Sequence, residues 1–163
     1  MSTYSKLEFA PAHRPGEKLG KYGYKTQRHF LDLLIDGESL YEAIKARQLD
    51  NISPFWLEEA AGDPSRSTGI ESAERLMLIK PADFPNDRRS LFICPECGDL
   101  GCGAVSVVVE MTDESIVWRE FGYENNWENK VLSSSFKELG PFTFRPTEYL
   151  EMLNDIVARL RRS

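Results

Sequence analysis

The sequence is poor in the residues and motifs that most enzymes use. It has only two histidines, His13 and His29, and three cysteines in 163 residues. It contains no G-x-S-x-G nucleophile elbow, no H-E-x-x-H motif and neither of the glycine-rich phosphate loops, G-x-x-x-x-G-K-[ST] and G-x-G-x-x-G. The sequence therefore indicates no particular catalytic mechanism, and a non-catalytic role is favoured.

The sequence also lacks a long hydrophobic run and an excess of basic residues. No apolar stretch approaches the roughly 20 residues that span a bilayer, and the first residues have no apolar core typical of a signal peptide. Lys and Arg number 20 against 26 Asp and Glu, a net charge of −6. A nucleic-acid binder needs a dominant basic surface. We expect a cytoplasmic protein that binds neither membranes nor nucleic acid.

The first part of the chain predicts an arm followed by a strand and a helix. Residues 1–25 carry a net positive charge, several glycines and prolines and little periodicity, so we expect a partly ordered basic arm before a single domain over residues 26–163. Residues 29–35 alternate as a strand. Ser39 and Glu42 have the spacing of a capping box, which predicts a helix over about residues 39–48.

The sequence of the middle of the chain predicts short secondary-structure elements separated by loops. Ser53 followed by Pro54 is typical of a helix start, and that helix would stop near Gly62. Residues 62–70 and 80–89 are rich in loop-forming residues, whereas residues 74–79 fit either a strand or a helix.

The second half predicts the centre of the fold. Three apolar segments joined by short turns over about residues 90–123 indicate an antiparallel β-meander. From Pro146 onwards, apolar residues recur at the spacing of an amphipathic C-terminal helix. The predicted class is α+β.

All three cysteines, Cys94, Cys97 and Cys102, lie within nine residues. C-P-x-C-G is typical of a metal knuckle that turns two thiolates towards one zinc or iron ion, but a closed zinc site has four ligands. A fourth would come from His13, His29 or a carboxylate such as Asp99. The other interpretations are a redox pair, which lacks the usual helix start, and thiols that pack at the ends of paired strands. Packing is the favoured interpretation.

An acidic segment rich in aromatic residues follows the third strand of the meander. Residues 95–128 contain eight acidic residues and a single arginine. Tyr and Trp are enriched at interface hot spots, and carboxylates pair with Arg or Lys of a partner. The alternative is a solvated acidic face with core aromatics. The candidate partner-binding residues are Glu120, Tyr123, Glu124, Asn126, Trp127 and Glu128.

Three segments resemble a group of small, functionally uncharacterised bacterial proteins. They are C-P-E-C-G-D-L-G-C-G at residues 94–103, V-W-R-E-F-G-Y-E-N at residues 117–125 and G-P-F-T-F at residues 140–144. The turn at residues 34–37 is similar too. The resemblance implies a bacterial, cytosolic origin and no particular reaction.

Two hypotheses about function follow. The first is a protein-binding module, such as an immunity or inhibitor protein that neutralises a basic toxin or enzyme through its acidic aromatic surface. The second is a zinc-binding protein that uses Cys94, Cys97 and Cys102, with the zinc structural or open to a substrate.

Overall fold

A computed structural model describes residues 3–18, 20–21, 23–58 and 64–162. Its strands are β1 (Leu7–Arg14), β2 (Glu17–Lys18), β3 (Tyr24–Lys25), β4 (Arg28–Ile35), β5 (Glu38–Ser39), β6 (Arg88–Phe92), β7 (Ala104–Met111), β8 (Ile116–Glu124) and β9 (Phe142–Phe144). Its helices are α1 (Leu40–Lys45), α2 (Pro64–Leu76) and α3 (Pro146–Arg161). Within these described ranges, no helix has the length and apolar character that a membrane crossing requires.

The longer strands form two antiparallel sheets. One has the order β1-β4-β5 and the other β6-β7-β8-β9, while β2 and β3 form a two-stranded ribbon. Helices α2 and α3 pack against each other, and α3 also contacts β1. The α+β class predicted from the sequence is confirmed.

The antiparallel meander predicted over residues 90–123 is also confirmed. β6, β7 and β8 are neighbours in chain order, and the Thr112 N–H donates to the Ser115 carbonyl at 2.8 Å in the turn between β7 and β8. The structure adds β9, which pairs with the beginning of β8. With three residues, β9 is too short to show the alternation by which a strand is recognised in a sequence.

Residues 7–14 fall in the segment that the sequence analysis assigns to a partly ordered arm, yet they form β1. This strand pairs with β4 along its whole length, from Leu7 opposite Ile35 to Arg14 opposite Arg28. Pro11 is tolerated because β1 lies at the edge of its sheet. The proline and the lack of β-branched residues hide the strand pattern in the sequence.

The capped helix and the C-terminal helix are confirmed. The Ser39 hydroxyl accepts a hydrogen bond from the Glu42 N–H at 3.0 Å. α1 ends at Lys45, earlier than expected, and the chain then turns through Gln48, which has a left-handed φ of 63°. The buried face of α3 consists of Tyr149, Met152, Leu153, Ile156, Val157 and Leu160.

The helix predicted to start at Ser53 is wrong. Residues 51–57, here called the linking segment, contain no helix. The Ser53 hydroxyl, expected to cap a helix, instead donates to the Leu31 carbonyl in β4 at 2.6 Å. Tertiary contacts override the local signal because residues 51–56 are all buried and their backbone must find partners there.

The loop predicted at residues 62–70 is also wrong where the structure describes it, because α2 begins at Pro64. Gly62, the predicted end of the preceding helix, lies outside the described residues. Gly69 lies inside α2 at a point of close packing. A Cβ added there would lie 2.9 Å from both the Leu160 side chain and the Pro54 carbonyl, so there is no room for a side chain. The glycine that indicates a loop in the sequence therefore permits close packing of a helix.

Tyr149 joins three elements of the core. Its side chain is fully buried, its hydroxyl accepts a hydrogen bond from the Trp118 indole N–H at 3.0 Å, and it donates to the Leu76 carbonyl at 2.7 Å. One hydroxyl therefore satisfies a donor of β8 and an acceptor of α2.

We expect Tyr149→Phe to lower the free energy of unfolding by about 2–4 kcal/mol, because it leaves two buried polar groups without partners. The matched control is Tyr4→Phe. The Tyr4 hydroxyl donates to the carbonyl of exposed Glu114 at 3.0 Å, so its loss costs less than about 1 kcal/mol. Urea denaturation measures both values, and equal losses would contradict the role of Tyr149.

Candidate metal centre

The first two cysteines lie on a tight turn at the end of β6. The Gly98 N–H donates to the Cys94 carbonyl at 2.9 Å, and the Asp99 N–H donates to the Cys97 Sγ at 3.4 Å. Gly98 has a left-handed φ of 68°, which favours glycine. The turn has the hydrogen bonds of the knuckle predicted from C-P-x-C-G.

The third cysteine ends a short 3₁₀ turn, Leu100–Cys102. Asp99 caps this turn through its Oδ1, which accepts a hydrogen bond from the Gly101 N–H at 2.8 Å. Gly103 follows with a φ of 99°, and a Cβ there would collide with the Tyr123 ring and hydroxyl. Glycine is therefore required at residue 103, both for backbone conformation and for space.

These two turns bring the three thiols together. The three Sγ atoms all lie within 4.8 Å of one another, and those of Cys97 and Cys102 are 2.9 Å apart. Thiolates bound to a tetrahedral zinc with Zn–S bonds of about 2.3 Å are about 3.8 Å apart. The three thiols are grouped closely enough to hold one metal ion, and the Cys97 and Cys102 sulfurs would move apart by about 0.9 Å to bind it.

Exposure argues against the packing interpretation that the sequence favours. Cys97 and Cys102 are exposed, and Cys94 is partly buried. They lie at the ends of β6 and β7, as that interpretation predicts, but two of the three thiols face solvent rather than the core. Exposed thiols contribute little to packing and are accessible to ligands.

The residues predicted as a fourth ligand do not join the cluster. His13 and His29 lie opposite each other on β1 and β4, with their rings stacked 4.6 Å apart. Asp99 uses Oδ1 to cap the 3₁₀ turn. Among the described residues, the group that could hold a metal consists of the three cysteines alone.

The close contact between Cys97 and Cys102 separates their acidities. Desolvation by neighbouring atoms opposes ionisation of the exposed Cys97 thiol, but hydrogen bonds from Cys102, the Asp99 backbone and Cys94 outweigh this effect and lower the pKa of Cys97. The same contact with Cys97 raises the pKa of Cys102 to about 12. Without a metal, Cys97 therefore ionises before Cys102 as the pH rises.

Two arginines of the first sheet anchor the knuckle. Arg14, with a side chain only 4% exposed, donates from Nη1 to Glu96 Oε2 at 2.9 Å and from Nη2 to Asp50 Oδ2 at 2.5 Å. Arg28 donates to the Pro95 carbonyl at 2.7 Å. Both residues between Cys94 and Cys97 are thus fastened to the strands β1 and β4.

The predicted interface segment lies beside the cluster. The Tyr123 hydroxyl donates to the Cys102 carbonyl at 3.1 Å, and the Trp127 indole N–H donates to the Gly101 carbonyl at 3.0 Å. Trp127 is nevertheless 70% exposed. Asn126 and Glu128 are exposed as well, and Tyr123 is half-buried.

Two acidic residues of the predicted interface are already paired within the chain. The Glu124 side chain is only 4% exposed, and its Oε2 accepts from the Arg88 Nε at 2.8 Å and from the Ser106 hydroxyl. It is therefore not available to a partner, which corrects the sequence prediction for this residue. The Glu120 carboxylate is exposed and pairs with Arg119.

The arginines that organise the site are not among the residues predicted from the sequence. Arg14 and Glu96 are 82 residues apart, and Arg88 and Glu124 are 36 residues apart. No local pattern identifies ion pairs over such separations, since they depend on strand pairing.

No family model, curated protein or solved structure matches this chain. The chemistry of the site therefore follows from its geometry: three thiols on two adjoining turns, two of them exposed and one with a lowered pKa.

We expect iodoacetamide to modify Cys97 of the metal-free protein about tenfold or more faster than Cys102 near neutral pH, since the thiolate is the nucleophile and a lower pKa raises its fraction. Cys102→Ala removes the hydrogen bond and should slow modification of Cys97. Peptide mass spectrometry over time measures both rates. Equal rates of modification at the two exposed thiols would contradict the prediction that Cys97 ionises at a lower pH than Cys102.

Proposed function

We propose that the protein binds one zinc ion through the Sγ atoms of Cys94, Cys97 and Cys102 and leaves the fourth coordination position to a ligand from outside the chain. The observation that carries this proposal is the grouping of the three Sγ atoms within 4.8 Å, with no other metal-ligating side chain of the described residues in the group.

The donor set favours zinc among the common metal ions. Thiolates suit zinc, copper(I) and iron–sulfur clusters, whereas magnesium and calcium take oxygen ligands. A knuckle that presents two thiolates is typical of zinc sites. The Asp99 carboxylate, two residues after Cys97, adds negative charge that attracts a cation, whereas Glu96 is already paired with Arg14.

Several contacts hold the ligands in place before metal arrives. The Asp99 N–H points at the Cys97 sulfur, which favours its thiolate form. Arg14 fixes Glu96, the residue preceding Cys97, through the ion pair at 2.9 Å. Such outer contacts orient metal ligands and typically change metal affinity about 10–100-fold when removed.

The incomplete ligand set distinguishes this site from a closed structural zinc site. Structural sites have four protein ligands, and three protein ligands with one exchangeable position are typical of sites that act on a bound molecule. A zinc ion held there would polarise whatever oxygen or sulfur ligand occupies its fourth position. Trp127 is 70% exposed and hydrogen-bonded to the Gly101 carbonyl next to Cys102, so it offers an aromatic surface near such a ligand.

The immunity or inhibitor role stays a prediction. Its acidic aromatic surface now consists of Trp127, Glu120, Asn126 and Glu128 with part of Tyr123, because Glu124 is buried. This surface and the cysteine cluster are adjacent, so a partner that docks on Trp127 would also cover the proposed zinc site.

We expect the protein to bind one Co²⁺ per chain, with the sulfur-to-cobalt absorption bands of thiolate coordination, and Zn²⁺ to displace it. Changing any one of the three cysteines to serine should weaken binding by more than the roughly 10–100-fold of an outer-shell change. Competition against a chelator measures the affinities.

The matched control is Asp99→Asn. It keeps a side-chain oxygen that can cap the Gly101 N–H but removes the carboxylate, so metal affinity should stay within about threefold if Asp99 is not a ligand. Added imidazole should shift the cobalt spectrum if the fourth position is open. Metal binding that is unchanged in all three serine variants would refute the proposal. A large loss of metal affinity in Asp99→Asn would show that Asp99 is the fourth ligand and that no position is left open.

A further inference from the structure

A second candidate site lies in the other half of the meander, in a cavity of about 410 Å³ beside β8. Its walls are largely apolar, with Phe121, Phe136, Leu139 and Pro141 among them, while Arg88 and Lys137 supply cationic groups. Small-molecule sites are typically clefts of about 300–1,000 Å³ with apolar walls and a few polar groups. The cavity has the size and composition of such a site.

Arg88 is the most constrained of the lining residues. Its side chain is 8% exposed, and its Nε donates to Glu124 Oε2 at 2.8 Å. Its Nη2 donates to the Glu120 carbonyl at 2.5 Å and to the Ser106 carbonyl at 3.2 Å. Nη1 has no hydrogen-bond partner within the described part of the chain, so a buried, oriented guanidinium retains donors for a ligand.

The backbone around Arg88 departs from a regular sheet. The β7–β8 register shifts between Ser106 and Val108, and Glu120 has a left-handed φ of 56°. A non-glycine residue in this conformation costs about 1–3 kcal/mol, and such residues cluster at functional sites. This bulge presents the Glu120 carbonyl to Arg88 and places Phe121 in the cavity wall.

The opposite wall is held close to the strand. Tyr123 and Leu132 exchange two backbone hydrogen bonds of 2.9 Å. These bonds hold the segment that contains Val131 and Leu132 against the end of β8. Gly122 has no side chain, and a Cβ there would collide with Val131 and lie 3.2 Å from Arg88 Nη2. The 3₁₀ turn Ser134–Phe136 then closes the cavity, and Arg47 fastens it by donating to the Ser135 carbonyl at 2.7 Å.

The lining offers two cationic donors to a ligand, although its ion pairs leave the charges around the cavity close to balanced. Glu124 occupies the Nε edge of Arg88, and the Glu120 carboxylate pairs with Arg119. Lys137 forms no ion pair within the described residues. The cationic groups that remain for a ligand are therefore the Nη1 of Arg88 and the ammonium of Lys137.

We propose that this cavity binds a small aromatic carboxylate. The carboxylate is recognised by Arg88 and Lys137, and the aromatic ring packs against the accessible apolar lining of Val131, Leu139 and Pro141. Arg is suited to this role because its planar guanidinium hydrogen-bonds carboxylates with defined geometry. The site is independent of the three cysteines and of the proposed zinc ion.

The test is a titration of the ¹⁵N-labelled protein with 2-naphthoate, followed by NMR, with the uncharged 2-naphthamide as a matched probe. We expect shifts of the Phe121, Ser133, Phe136 and Gly140 amides, and binding of naphthoate about tenfold or more tighter than naphthamide, since hydrogen bonds to charged groups are the stronger ones. Lys137→Glu should weaken naphthoate binding about tenfold.

The matched control is Lys130→Glu, because Lys130 is an exposed lysine of the same loop that does not line the cavity. It should change naphthoate affinity less than about twofold, because the exposed Lys130 side chain is outside the lining and its charge is screened by salt. The proposal is overturned by no shifts up to about 10 mM naphthoate, by equal affinity for the amide, or by equal effects of the two lysine variants. None of these measurements requires a substitution at buried Arg88.

Discussion

The backbone of the linking segment must find hydrogen-bond partners in the protein interior, and the arrangement of the two sheets depends on this constraint. Leu31 donates to the Phe55 carbonyl at 2.8 Å, and Leu57 donates to the His29 carbonyl at 2.7 Å, which ties the segment to β4. Ile52 and Ile93 exchange hydrogen bonds of 3.0 and 2.7 Å, which tie it to the end of β6. An unpaired buried peptide group costs about 1–3 kcal/mol. The segment is therefore stable only where β4 and the end of β6 both provide backbone groups that pair with it.

The proposed zinc site depends on the same connection. Ile93 directly precedes Cys94, so the pair formed with Ile52 fixes where the first thiol lies relative to β4. The turn then packs against the Trp56 ring, which would lie 3.5 Å from a Cβ added at Gly98. The Arg28 guanidinium stacks over the same ring, 4.2 Å from its centroid. A cluster that is close to the surface is thus built on both sheets, and rigid supports of this kind hold metal ligands in place.

β8 connects the two candidate sites. Its last residues, with the loop that follows, contact the turn that contains Cys102, through Tyr123 and Trp127. Its bulge at Glu120 forms a wall of the cavity that contains Arg88. The buried Glu124 carboxylate at the end of β8 pairs with Arg88, so the acidic residue that was predicted to lie on a surface instead holds the guanidinium of the cavity.

The sequence by itself determined the elements whose signals are local. The strand at residues 29–35, the Ser39 cap, the meander and the amphipathic α3 follow from alternation, helical spacing and side-chain capping, and C-P-x-C-G identified the knuckle. Only the tertiary structure decided that residues 52–56 are not helical, that β1 is a strand and that Glu124 is buried, because each depends on partners far along the chain. The same holds for the third thiol and for Arg88: sequence gives the residue, and strand pairing gives the distance and the burial on which its chemistry depends.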